Sequence, residues 1–168
     1  MHWPLVLAAL LAVPAPGPEP VAAACDMPAF DEIGPLHNFL GMRAVEIVDR
    51  ASRPEWEADE RLRRLVSPHA TFGLGAGDVG RPLAGGVAGA HALAMQMKAD
   101  SYRFLGWDYF PMPIEKCSSH EIMVEFIDSA GSNGAAVTFT FEAGRLVKAD
   151  GWHRSFHSGA IRGIRAGE

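Results

Sequence analysis

Histidine is the side chain best suited to acid–base work near neutral pH, and this sequence holds seven of them. His153 stands out. It shares the parity of Val147, Ala149 and Gly151 in an alternating run, and successive strand residues face opposite sides. That placement suits a general base, or a group that orients a ligand through one hydrogen bond. Ser155 lies on its face, and Asp108 or His120 could approach from other strands. The plainer reading is a core-edge histidine satisfied by a carbonyl or water, since a lone polar group in a pocket more often orients than reacts. His153 and His157 are four apart; on a strand that is roughly 13 Å, too far to share one zinc. No Cys or carboxylate stands at ligand spacing beside them, so no metal is expected. Gly-x-Ser-x-Gly does not occur, and Cys117 has only Lys116 as a basic neighbour, which leaves nucleophilic catalysis without a motif.

The elements that must position His153 are three strands between Cys117 and Phe156. Ile122, Val124 and Phe126 share one face of the first. Val137, Phe139 and Phe141 share one face of the second, and Val147, Ala149, Gly151 and His153 one face of the third. Leu146, Trp152, Met123, Thr138 and Thr140 fall on the opposite faces. Turn residues Ser129-Ala130-Gly131-Ser132-Asn133-Gly134 and Glu142-Ala143-Gly144-Arg145 separate the runs. This is an antiparallel meander with one buried face. Upstream, Leu36, Leu40, Ala44, Ile47 and Val48 recur at helical spacing. Ser52-Arg53-Pro54-Glu55 has the form of a capping box opening a second helix with Ala58, Leu62, Leu65 and Val66 inward. A short strand is expected over His69–Leu74, a loose hairpin around Arg81-Pro82-Leu83, a third helix over Ala90–Lys98 and a further strand over Tyr102–Phe110. The Gly-rich tract from Gly73 to Gly89 lacks the spacing of a P-loop or dinucleotide fold, so no cofactor is expected.

With 168 residues, 48% of them hydrophobic, and a net charge of -5, the chain is bounded as one globular domain. No basic patch suggests nucleic acid. Residues 4–13 form an apolar run too short to span a bilayer. With the small residues before Cys25 it reads as a secretory signal peptide over 1–24; a misassigned start would instead leave a cytoplasmic chain. Ala-Ala-Cys25 is a poor match to a lipid-attachment site, because Ala22 stands where Leu is usual. Two cysteines in an exported chain favour a Cys25–Cys117 disulfide.

The order helix, helix, short strand, hairpin, helix, antiparallel strands resembles the NTF2-like superfamily, also called SnoaL-like or ketosteroid-isomerase-like. The local marks are Leu65-Val66-Ser67-Pro68-His69-Ala70-Thr71-Phe72, Arg81-Pro82-Leu83 before Gly89, and Phe141-Glu142-Ala143-Gly144-Arg145-Leu146-Val147. The resemblance spans about 33–157, leaving 25–32 as an extension and 158–168 as a tail. It implies an α+β cone, with a strongly bent antiparallel sheet packed on three N-terminal helices. It also implies an apolar pocket lined by Phe72, Leu74, Ile122, Val124, Phe126, Val137, Phe139, Phe141 and Val147, with Trp107 near its mouth. Many such proteins pair through the outer sheet face, so a homodimer is an expectation too.

The same resemblance excludes two mechanisms. Matched without gaps, the ketosteroid isomerase tyrosine falls on Ala44, its base near Leu74 and its oxyanion acid near Val137. The Asp–Arg–Asp set of limonene epoxide hydrolases meets only Val124, Phe126, Val137 and Phe139. What is left is an exported domain that binds a small apolar or aromatic molecule without turnover. The alternatives are a lyase, cyclase or isomerase using His153, and a structural dimerisation module.

Overall fold

The computed structural model describes residues 25, 27–76, 81–105, 115, 117–130, 133–155 and 162–163. The expected signal segment 1–24 and Trp107 lie outside these residues.

α1, Ile33–Ser52, is the longest helix among the described residues. Pro35 sits in its first turn, where a missing N–H costs nothing. Its Leu36, Leu40, Ala44, Ile47, Val48 and Ala51 are all buried, as the 3.6-residue stripe requires. Pro54 then forces Arg53 to extended backbone and ends the helix. The expected capping box at Ser52 is therefore not formed, because Ser52 is already the last turn of α1. The chain makes a 3-10 turn over Trp56–Ala58. Asp59 then caps α2, Glu60–Leu65, by accepting from the Leu62 N–H at 2.9 Å. The third helix, α3, covers Gly86–Met97, beginning four residues earlier than expected. Gly89 lets it sit close: a Cβ there would lie 2.4 Å from the Phe72 ring and 2.1 Å from the Ala84 oxygen.

The strands are β1 (Val66–Ala76), β2 (Arg81–Pro82), β3 (Ser101–Phe104), β4 (Ser119–Asp128), β5 (Asn133–Glu142), β6 (Arg145–Ser155) and β7 (Arg162–Gly163). They form one sheet in the order β2-β1-β6-β5-β4-β3-β7. The expected meander is β4-β5-β6, antiparallel throughout. Two expectations need correction. β1 runs parallel to β6, so the sheet is mixed. The long chain between them, including α3, supplies the crossover that a parallel pair needs. And β7 joins the edge of β3 from within the segment read as a tail.

The sheet bends at irregularities. Between Val66 and Thr71 the register of β1 on β6 shifts. On β6, Thr140 faces Lys148 while Phe141 faces Leu146, which leaves Val147 as the extra residue of a bulge. The bulge resets parity. Leu146, expected outside, is fully buried, and Val147, expected inside, is half-buried. Beyond it Ala149 and Gly151 return to the inner face. The inner face and the helices share one core, which includes Leu36, Leu40, Ile47, Leu93, Phe126, Phe139 and Phe141. This is an α+β cone of the expected kind.

Candidate functional site

Parity assigns most of the expected lining correctly to the inner face. Phe72, Leu74, Ile122, Val124, Phe126, Val137, Phe139 and Phe141 are each 0–5% exposed. Phe126 and Phe139 meet edge to face with ring centroids 5.9 Å apart. α1 and α3 cover this face, so at these positions it is packed core.

His153 does not join them. It keeps the inward parity, opposite Ala135 on β5, yet it is solvent-exposed near the end of β6. Parity fixes the side of a sheet; burial needs something on that side. His120 cannot help it either. His120 pairs with Phe141 and His153 with Ala135, and six residues of β5 separate those partners by roughly 20 Å.

The histidines of the inner side are others. His120 extends the inward parity of Ile122, Val124 and Phe126 to the start of β4. Its Nε2 lies 3.0 Å from the Glu115 carbonyl oxygen and 3.3 Å from Ser118 Oγ. His37, in the second turn of α1, comes near enough to His120 to feel its charge. Burial first, and the neighbouring His120 second, hold the His37 pKa below the ordinary histidine value. Both residues stand at the end of the cone where α1 and β4 begin. Cys25 and Cys117 are bonded at the same end, with Cα atoms 5.6 Å apart. Half-buried Phe30 and Phe39 pack there with centroids 5.3 Å apart.

Arg43 was also missed. It is only 6% exposed; its Nη1 donates to the Gly144 oxygen at 2.6 Å, and its guanidinium lies 4.6 Å over the Phe39 ring. The expected lining is wholly apolar, so this buried cation is an addition to it. Its spacing, three after Leu40 and four before Ile47, was the available signal.

On the outer face Glu125 is fully buried although its parity points outward. Arg103 pairs with its Oε2, and Arg154 Nε lies 3.0 Å from its Oε1. A shallow groove of about 210 Å³ lies farther along the sheet, lined by Thr71, Gly73, Pro82, Lys148 and Asp150, with the edge of Phe72. A second, of about 120 Å³, separates α1 from α3 at Val48, Asp49, Met95 and Lys98. Trp152, Met123 and Thr138 are half-buried on the outer face; the exposed large apolar side chains among the described residues, Met42 and Met95, are on helices. Among the described residues no three metal-binding side chains come together, and no helix is long and apolar enough to cross a membrane.

No family model matches the sequence, and no curated protein does. The chain is similar to several solved structures. One is a phenazine biosynthesis-related protein from Pseudomonas aeruginosa, 14% identical, covering 77% of this chain and 83% of that one at a TM-score of 0.38. Another is an NTF2-like protein of unknown function from Cytophaga hutchinsonii, 10% identical over 70% and 89% of the two chains, with a TM-score of 0.40. A third is an NTF2-like protein of unknown function from Shewanella baltica, 14% identical over 68% and 93%, with a TM-score of 0.41. Likeness at this level transfers no activity. By its own element order, helix-covered inner face and bent sheet, the chain has the NTF2-like fold that its sequence resembles.

Proposed function

We propose that this chain is an exported domain that binds a small, uncharged, largely apolar molecule without turning it over. The binding place is the end of the cone where α1 and β4 begin, and His37 and His120 supply the polar contacts there. One observation supports this above the others: an apolar inner face terminates near His37 and His120, the first held toward its neutral form by burial and by the neighbouring ring. A charged ligand would lose hydration with little to replace it, since Arg43 is engaged with Gly144 and Phe39. The cysteine pair and the apolar N-terminal run support export.

The test is a thermal-shift screen of uncharged aromatic and alicyclic compounds on the oxidised full chain, with mass analysis of each stabilising compound after incubation. Stabilisation that weakens in His37→Phe and His120→Phe, with compounds recovered unchanged, is expected. Stabilisation by anions alone, or conversion that disappears in His120→Ala, overturns the reading. The full burial of Val124, Val137, Phe139 and Phe141 favours a second reading, an interaction module with a filled cone. In that case no small molecule stabilises the protein.

A further inference from the structure

The hydrogen bonds around His120 say what kind of polar group a ligand should carry. The Glu115 backbone oxygen can only accept, so His120 Nε2, 3.0 Å away, must hold a proton. Ser118 Oγ spends its single proton on the same carbonyl, at 2.7 Å. It therefore cannot donate to the ring and stands 3.3 Å from Nε2 as a second acceptor. Two acceptors at one nitrogen fix the tautomer of the neutral ring. The proton is on Nε2, and Nδ1 keeps its lone pair. Among the described residues no donor meets Nδ1, and the ring sits on the inner side of β4.

We propose that the molecule bound at this end presents a hydrogen-bond donor, a hydroxyl or an N–H, to Nδ1 of His120. The class is then a small alcohol, phenol or amide. Ketones, ethers and carboxylates offer only lone pairs to a lone pair, and a site that hydrogen-bonds a donor discriminates strongly against analogues lacking one. This rests on the reading of the cone end as a binding site, and the experiment separates the two.

Three probes share one skeleton: 2-naphthol, 2-methoxynaphthalene and naphthalene. Fluorescence titration of the oxidised full chain should give about tenfold tighter binding for the naphthol than for the ether, the difference one hydrogen bond makes. In His120→Phe the two should bind alike, with naphthalene affinity unchanged. Long-range proton–nitrogen NMR of the wild-type chain should show His120 protonated on Nε2. Equal wild-type affinities for naphthol and ether overturn this inference but leave the binding site standing. A proton found on Nδ1 overturns it without any variant. Failure of all three probes to bind overturns both.

Discussion

His37 ties one side chain to the behaviour of the whole fold. Its pKa in the folded chain lies below that of an exposed histidine, about 6.5. As pH falls through that value, the unfolded chain takes up a proton that the folded chain does not, so stability must fall with it. The loss begins near pH 7, grows through the window down to the folded pKa, and levels off below. Urea denaturation at half-unit intervals from pH 8 to pH 5 should show this slope, and His37→Gln should flatten it. An identical slope in the variant would show that another group titrates. Single residues were also where sequence reading erred most. Parity put Glu125 outside, which is true of its direction and false of its environment. Arg103 and Arg154, 22 and 29 residues away in sequence, close over it. A buried carboxylate left without them would cost several kcal/mol, and nothing local in sequence announces the arrangement. The nearness of the two histidines was equally hidden, since His37 and His120 approach each other only once α1 packs against β4.

Among the elements, α2 is the least self-sufficient. Six residues are too few for an isolated helix, so Asp59 and the ion pairs around it hold this one. Asp59 caps Leu62 N–H and also pairs with Arg50 at 3.0 Å; Arg50 and Arg61 both reach Glu46 on α1. Burial pushes the Asp59 carboxyl up, but the Leu62 N–H and Arg50 outweigh it, and the pKa ends below the usual carboxylate range. Its stabilisation is therefore present above about pH 4 and lost as pH falls through the lowered pKa. Asp59→Ala should cost about 1–2 kcal/mol at pH 7 in chemical denaturation. Asp59→Asn, which keeps a capping acceptor, should cost clearly less. Equal costs would mean that the ion pair, not the cap, holds α2. The real cap was legible as Asp59 before a charged helix, but Ser52-Arg53-Pro54-Glu55 offered a better local match and lay inside α1's reach. The meander was legible because period-2 alternation and turn residues agree over three strands. The bulge at Val147 was not, since it adds one residue without any Gly or Pro to mark it. That single residue moved Leu146 into the core.

At the scale of the molecule, one covalent bond ties together the two chain segments that lead into the proposed binding region. Cys25 leads into the stretch that buries Met27 and packs Phe30, tilted, against Phe39 of α1; Cys117 leads into β4 and His120. The pair was legible from an even cysteine count, because only one pairing exists. The bond closes a loop across a sequence separation of 92. Chain entropy alone then gives roughly 4–5 kcal/mol of stabilisation, a large share of the 5–15 kcal/mol typical of a domain. Reduction should therefore lower the urea midpoint substantially, and Cys25→Ser with Cys117→Ser should match the reduced wild type. Mass measurement of the intact oxidised chain, before and after reduction and alkylation, should show two thiols only after reduction. Two free thiols beforehand, or a diacylglycerol mass on Cys25, would sink the disulfide. If the bond also holds the walls carrying His37 and His120 in register, naphthol affinity should drop on reduction under conditions where the chain stays folded. Unchanged affinity would confine the bond's role to stability.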